Sequence, residues 1–270
     1  MTTQSRWDYD WIPIYFVSLL LVAFLLVVGS VDQNGSAAAP AVPRSTGNPT
    51  APAPTLAPEP GSLGPVSGNV LPGGRSRIFA DDRVLVSYYG TAGTGSLGVL
   101  GEGSPDEIMP RLTKAARAFA ATGRPVQPVF ELIVTVAHAG PTQSGQYSSD
   151  IDRVSVQGYI DAAHEYGALV VLDLQPGRAN FLEVAKRWEW ALKDPLVGLA
   201  LDPEWRMSQG GVPGQRIGSV SADEINEVSR WLEELTVANG LPEKVFVLHQ
   251  FRTDMIRKIA EVAPRAHLAM

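Results

Sequence analysis

Between residue 84 and the end of the chain, segments typical of strands alternate with segments typical of helices, and this alternation constrains the fold most. The strand segments are short apolar runs, and serine residues mark two helix starts: Ser104 with Glu107, and Ser221 with Glu224, have the spacing of capping boxes. Such alternation builds right-handed βαβ units around a parallel sheet. We predict strands at 84–89, 129–136, 169–174, 197–201 and 245–250, helices at 105–122, 150–166, 181–193, 222–239 and 253–262, and the start of a sixth strand at 267–270.

One face of each predicted strand carries polar residues once its large apolar residues are placed against the helices. Polar groups on a buried face are costly unless they are paired, and (β/α)₈ barrels place their active sites at the carboxyl ends of parallel strands. We therefore predict an α/β fold of the (β/α)₈ TIM-barrel type, with strands in sequential order around this inner face. About five and a half βα units are recognisable, so we expect a C-terminally incomplete barrel. The inner face is predicted to carry Ser87, Tyr89, Glu131, Thr135, Asp173, Gln175, Asp202, Glu204 and His249.

The segment VGLALDPEWR, 197–206, places two carboxyl groups at the end of an apolar strand. If the strand geometry continues, Asp202 and Glu204 lie on one face, roughly 6–7 Å apart. Such a pair at the mouth of a barrel suits acid–base chemistry. The alternative is that Asp202 only starts a turn and Glu204 is solvated.

The other polar residues also have structural alternatives. Glu131 can be a structural charge near the core, Asp173 can bind a loop backbone, and His249 can be a satisfied core histidine. Trp205 can pack in a loop as readily as it can stack on a sugar. A site built from Glu131, Asp173, Glu204 and His249 also has ligand types that suit Mg²⁺ or Mn²⁺.

Composition and motifs exclude several function classes. A formal charge of −6 and a pI near 5.3 argue against nucleic acid as a partner. The absence of cysteine excludes disulfides and thiolate chemistry. The serine-hydrolase elbow and the H-E-x-x-H zinc motif are missing. Residues 93–98 fit the dinucleotide pattern G-x-G-x-x-G, but further glycines and Pro105 come before the helix, which weakens that interpretation.

The first 74 residues differ in composition from the rest. After a polar tail at 1–11, residues 12–31 form an apolar stretch of nearly the length needed to span a bilayer, so we predict a transmembrane signal anchor. A cleaved signal peptide, cut near 37–39, is the alternative. Nine of the 21 prolines lie between residues 40 and 72, which predicts a disordered linker over 32–74 and a folded domain over 75–270. We expect that domain to lie outside the cytoplasm, on a single-pass membrane protein.

Three segments resemble a family of exported or membrane-tethered bacterial cell-envelope proteins with barrel-like domains: LDLQPGRANF at 172–181, GLALDPEWRM at 198–207 and VLHQFRTDMI at 247–256. The resemblance implies an exported domain but no particular activity. Residues 202–204 also resemble the end of the D-x-x-D-x-D-x-E signature of chitinase-like glycosidases, in which the final Glu donates a proton. The two earlier acidic positions of that signature are Val197 and Ala200 here.

These observations favour a membrane-tethered hydrolase that acts on cell-wall or other envelope polysaccharide and needs no cofactor. Glycoside cleavage requires one acid and a second carboxylate. We assign Glu204 as the proton donor and Asp202 or Asp173 as its partner. The alternatives are a non-catalytic barrel that binds wall glycan or an envelope partner, and a Mg²⁺- or Mn²⁺-dependent barrel enzyme. The expected substrate-binding residues are Tyr89, Ser87, Gln175, Trp205, His249, Arg252 and Glu131.

Overall fold

The structure, a computed structural model, describes residues 64–270. The predicted tail, the membrane anchor and most of the predicted linker lie outside the described residues. Within residues 64–270, no helix combines the length and apolarity needed to cross a bilayer.

The domain is α/β, with a mostly parallel central sheet compatible with a barrel-like fold. The strands are β1 Val84–Gly90, β2 Val126–Ala137, β3 Ser148–Asp150, β4 Leu169–Leu174, β5 Val197–Leu201, β6 Val220–Ser221, β7 Lys244–Leu248, β8 Ile256–Arg257 and β9 Leu268–Ala269. The α-helices are α1 Pro105–Arg117, α2 Arg153–Tyr166, α3 Phe181–Arg187, α4 Glu189–Leu192 and α5 Ala222–Ala238. Short 3₁₀ turns occupy Gly95–Leu97, Val99–Glu102, Ala118–Thr122, Pro203–Trp205 and Ile259–Glu261.

The sheet confirms the predicted sequential order. Its strands run β1-β2-β4-β5-β7-β9, and each neighbouring pair along this path is parallel. The short β3 pairs antiparallel with β2, and β6 pairs with β8 in a separate two-stranded sheet. The carboxyl ends of the main strands therefore meet at one edge of the sheet.

Apolar side chains fill the space between the sheet and its helices. The helix-facing residues Leu132, Leu172, Leu199 and Phe246 are buried, as are Ile108 and Leu112 of α1 and Ile225 and Leu232 of α5. In β5, Gly198 allows close approach of β7, because a Cβ atom there would lie 2.5 Å from the carbonyl oxygen of Val245. The core thus holds the central strands at fixed register.

The N-terminal part of the described chain packs at the opposite edge of the sheet. Leu71 is buried and, with Ile78, lies against the first residues of β4, β5 and β7. The backbone N–H of Val66 also donates to the carbonyl oxygen of His164 at 2.7 Å. The packed domain therefore includes residues N-terminal to the predicted boundary at 75.

Two predicted helices differ from those observed. The helix predicted over 253–262 is wrong: Ile256–Arg257 pairs with β6, and Lys258 adopts the left-handed conformation (φ 58°), which interrupts any helix. The helix predicted over 181–193 is two short helices that break at Trp188, whose indole N–H donates to Thr135 Oγ1 at 3.0 Å.

Candidate functional site

Strand register brings three predicted site residues together. Glu131 of β2 pairs with Tyr89 of β1, and Asp173 of β4 pairs with Ala200 of β5. His249 follows β7, and its backbone N–H donates to the carbonyl oxygen of Leu201 at 3.0 Å. Because these positions share a face of adjacent parallel strands, their side chains converge near the carboxyl edge.

The imidazole of His249 lies between two carboxyl groups. Its Nε2 donates to Glu131 Oε1 at 2.8 Å and lies 3.1 Å from Asp173 Oδ2. Ser87 Oγ donates to the other oxygen of Glu131 at 3.2 Å. An Nε2 atom between two acidic oxygens must carry a hydrogen, so His249 acts here as a donor.

Asp173 is the most deeply placed acid of this cluster. Its side chain is 0% exposed, and neither of its carboxylate oxygens has a hydrogen-bond partner. Its contact with His249 is a charge contact, because the single Nε2–H points to Glu131. A buried carboxylate without hydrogen bonds is costly, and such groups in native proteins usually have a reason.

The two carboxyl groups after β5 lie in different surroundings. Asp202 is 4% exposed, and its N–H donates to the carbonyl oxygen of Leu174, which extends the parallel pairing by one residue. Glu204 was predicted to continue the strand geometry, but Pro203–Trp205 forms a 3₁₀ turn because proline stops the extended pairing. Glu204 is consequently half-buried, at the mouth of the site.

A second loop holds the turn that carries Glu204. The N–H of Gly218 donates to the carbonyl oxygen of Glu204 at 2.6 Å, and a Cβ atom at Gly218 would lie 2.5–2.7 Å from three carbonyl oxygens of that turn. Arg206 Nε donates to Glu224 Oε1 at 2.9 Å, which ties the turn to α5. The position of Glu204 therefore depends on packing between two loops.

Electrostatics at the site follow from burial and from the excess of acids. Burial lowers the pKa of His249, but its contacts with Asp173 and Glu131 outweigh burial and raise the pKa to about 11. Burial raises the pKa of Asp173, and the charge of His249 opposes that change. Burial and the neighbouring Asp173 raise the pKa of Asp202 to about 8. Burial and Asp173 also raise the pKa of Glu204. His249 is thus an imidazolium at neutral pH, and Asp202 is protonated.

The remaining predicted binding residues divide into two groups. Tyr89 packs edge-to-face on His249 with ring centroids 6.2 Å apart, and its hydroxyl accepts from Gln175 Nε2 at 3.4 Å. Burial also raises the pKa of Tyr89. Trp205 is partly exposed, and its side chain acts to lower the pKa of Glu204, against the rise caused by burial and Asp173. Arg252 is exposed, and its guanidinium binds Asp254, at 2.7 and 3.0 Å, rather than the acidic cluster.

Thr135 was predicted on the inner face, and this is wrong. The register between β2 and β4 shifts between Ile133 and Thr135, which marks a β-bulge. Thr135 Oγ1 instead donates to Asp150 of β3 at 2.7 Å and accepts from the indole of Trp188. The bulge therefore turns Thr135 away from the site.

Glu224 has a role near the site that its sequence spacing does not reveal. The spacing from Ser221 predicts a reciprocal capping box, and the serine hydroxyl does accept from the Glu224 N–H. The carboxylate, however, accepts from Arg206 and from the N–H of Phe181, both at 2.9 Å. In the sequence, Arg206 directly after the D-P-E-W segment indicates that a carboxylate partner is needed nearby. Which acid serves as that partner depends on tertiary packing.

No protein-family model, no curated protein and no solved structure matches this chain.

Proposed function

We propose that the domain is an extracytoplasmic carbohydrate-active hydrolase of the (β/α)₈ type that cleaves glycosidic bonds in envelope polysaccharide. The observation that carries the proposal is the partly exposed Glu204 at the mouth of a buried acidic site, two residues after Asp202, where parallel strands end. We also propose that residues 12–31 anchor the chain to the membrane.

Glu204 is suited to deliver the proton. It is exposed enough to contact a substrate, and burial together with Asp173 raises its pKa, which lengthens the pH range over which it holds a proton. In glycoside cleavage the acid protonates the leaving oxygen as the bond to the anomeric carbon breaks, and water then completes the hydrolysis. Trp205 lies beside Glu204 and offers an aromatic surface for a sugar ring.

Asp202 is the second carboxyl group of the proposed pair. It is more buried than Glu204, and its pKa of about 8 means that it keeps its proton at neutral pH. Two coupled acids whose environments separate their pKa values carry one proton between them over part of the pH range. At pH values where Asp202 keeps its proton, Glu204 protonates the leaving oxygen and takes a replacement proton from Asp202, and the attacking water returns a proton to Asp202.

The negative charge in the buried part of the site stabilises positive charge that develops on a substrate at its mouth. Glu131 and Asp173 share the single imidazolium of His249, so the acids outnumber the bases. The transition state of glycoside cleavage is oxocarbenium-like, and fixed negative charge stabilises it. Asp173 therefore acts through electrostatics in this proposal, because it is too deeply buried to reach a sugar.

The test compares Glu204→Gln with the unchanged chain on peptidoglycan and on soluble glycan oligosaccharides, with new reducing ends as the readout. The variant keeps the shape of Glu204 but lacks its transferable proton, so turnover should fall by about 10²–10⁴-fold while glycan binding stays within a few-fold. Glu227→Gln, at an exposed position of α5, is the matched control and should keep full activity.

Other results would contradict the proposal. If the unchanged chain cleaves no glycan, the hydrolase assignment fails. If it binds glycan without cleavage, and Glu204→Gln weakens that binding, the domain is a glycan-binding module instead.

A further inference from the structure

Three possible ligand atoms converge in the buried part of the site. One oxygen of Glu131, one oxygen of Asp173 and one ring nitrogen of His249 all lie within 4.8 Å of one another. The three residues come from β2, from β4 and from the residue just after β7, so the sheet itself holds their backbones in place. A site built on rigid elements is preorganised for a ligand.

The distances around His249 Nε2 match one coordination geometry. Nε2 lies 2.8 Å from Glu131 Oε1 and 3.1 Å from Asp173 Oδ2. With metal–ligand distances of about 2.0–2.2 Å, adjacent corners of an octahedron lie about 2.8–3.1 Å apart, whereas corners of a tetrahedron lie about 3.3–3.6 Å apart. The two contacts thus have the lengths of octahedral edges.

A protonated histidine between two acids would show similar distances, so these distances alone do not indicate a cation. The environment of Asp173 provides an independent observation. Its carboxylate is 0% exposed, and neither oxygen accepts a hydrogen bond. An imidazolium with one N–H directed at Glu131 leaves Asp173 unsatisfied. A cation that contacts all three groups would satisfy it.

Ligand chemistry narrows the class of cation. One imidazole and two carboxylates are mixed nitrogen and oxygen donors, whereas Mg²⁺ and Ca²⁺ prefer oxygen alone. Octahedral edges disfavour tetrahedral Zn²⁺. We propose that Glu131, Asp173 and His249 bind a six-coordinate divalent transition-metal ion of the Mn²⁺ type, with three positions left for water.

This site keeps three of the four residues of the Mg²⁺ or Mn²⁺ set expected from the sequence, and Glu204 is not among the converging ligand atoms. It also does not depend on the proposed hydrolase function, since it concerns binding alone. Glu204 remains available for proton transfer.

The test measures binding of Mn²⁺ alone to the full chain, by isothermal titration calorimetry and by metal content after dialysis. Metal binding displaces the proton on His249 Nε2, so the titration is run at pH 8. One Mn²⁺ per chain is expected. Changes to residues that only support metal ligands typically cost 10–100-fold in affinity, so loss of a ligand in Asp173→Asn or Glu131→Gln should cost at least ~100-fold.

His164→Gln is the matched control, because His164 also lies against a carboxylate, Asp194 at 2.7 Å, but lies outside the converging triad. It should bind Mn²⁺ as the unchanged chain does. Circular dichroism verifies that each variant is folded, and Asp173→Asn removes a buried charge, so at least one ligand variant should fold. The proposal is overturned if the full chain binds no stoichiometric Mn²⁺, if both ligand variants retain affinity, or if Ca²⁺ or Zn²⁺ binds while Mn²⁺ does not.

Discussion

Replacement of Asp202 by asparagine should stabilise the fold, in a way that depends on pH. Asp202 is 4% exposed, and burial together with the nearby Asp173 raises its pKa from 3.8 to about 8. The unfolded chain therefore ionises this carboxyl near pH 4, while the folded chain keeps it protonated to about pH 8. Asparagine has a similar shape and never ionises, so it removes this difference.

The magnitude follows from linkage. The folded state binds more protons than the unfolded state between pH 3.8 and about 8, so the free energy of unfolding decreases as pH rises through that window. Each pH unit costs about 1.36 kcal/mol. From pH 3.8 to pH 7 the cost therefore reaches about 4 kcal/mol. Local relaxation and water entry reduce such penalties, so Asp202→Asn should gain about 2–4 kcal/mol at pH 7.

Urea denaturation at pH 4, 5.5 and 7, with chelator present to exclude bound metal, measures this gain. The difference in stability between Asp202→Asn and the unchanged chain should be near zero at pH 4 and should grow as pH rises. The same substitution should reduce catalytic turnover. Asp161→Asn, at an exposed position of α2, should change stability by no more than about 0.5 kcal/mol at any of these pH values. A gain that is equal at all three pH values, or a loss at pH 7, would refute the argument from burial.

Two further predictions concern the rest of the domain. Burial lowers the pKa of His164, but hydrogen bonds to Asp194 (2.7 Å) and to a backbone carbonyl outweigh burial and raise it above 6.5. The stabilisation by His164 is thus complete below pH 6.5 and is lost as pH rises through the folded pKa. In urea denaturation, His164→Gln should cost more at pH 5.5 than at pH 9, and an equal cost would contradict this. Gly218→Ala places a Cβ atom 2.5 Å from two carbonyl oxygens of the Glu204 turn, so thermal unfolding should show a loss of about 1–3 kcal/mol. Gly140→Ala, where a Cβ meets no atom within 4 Å, should have little effect.

Features set by local sequence were predictable, and features set by contacts between distant segments were not. The strand over 169–174 was predicted with its observed bounds, because a short apolar run between a helix and a proline has few alternatives. Period-two alternation was also sufficient to place Glu131 and Asp173 on one face with His249. Thr135 was misplaced because a bulge reverses alternation, and this bulge accompanies the pairing of β2 with β3.

The helix prediction for the segment after β7 was wrong for a related reason. Residues 253–262 have a weak helical pattern, but pairing of Ile256–Arg257 with β6 replaces the local preference. Arg252 was expected among the substrate-binding residues, yet its guanidinium binds Asp254 two residues away. Local sequence patterns identify the strand that carries a side chain, but they do not determine which partner a loop side chain contacts.

The burial of Asp173 connects the two proposals about this site. A stable scaffold would replace a fully buried carboxylate that accepts no hydrogen bond, because an asparagine or an apolar residue would remove its desolvation cost. While no cation is bound, the charge of this carboxylate raises the pKa of Asp202 and of Glu204, and the same carboxylate completes the triad with Glu131 and His249. Removing it should therefore remove a desolvation cost from the fold, lower the pKa of both acids in the metal-free protein, and weaken cation binding. Local choices that conflict with stability are expected at functional sites, and at Asp173 the conflict is sharp, because both carboxylate oxygens are buried without a hydrogen bond.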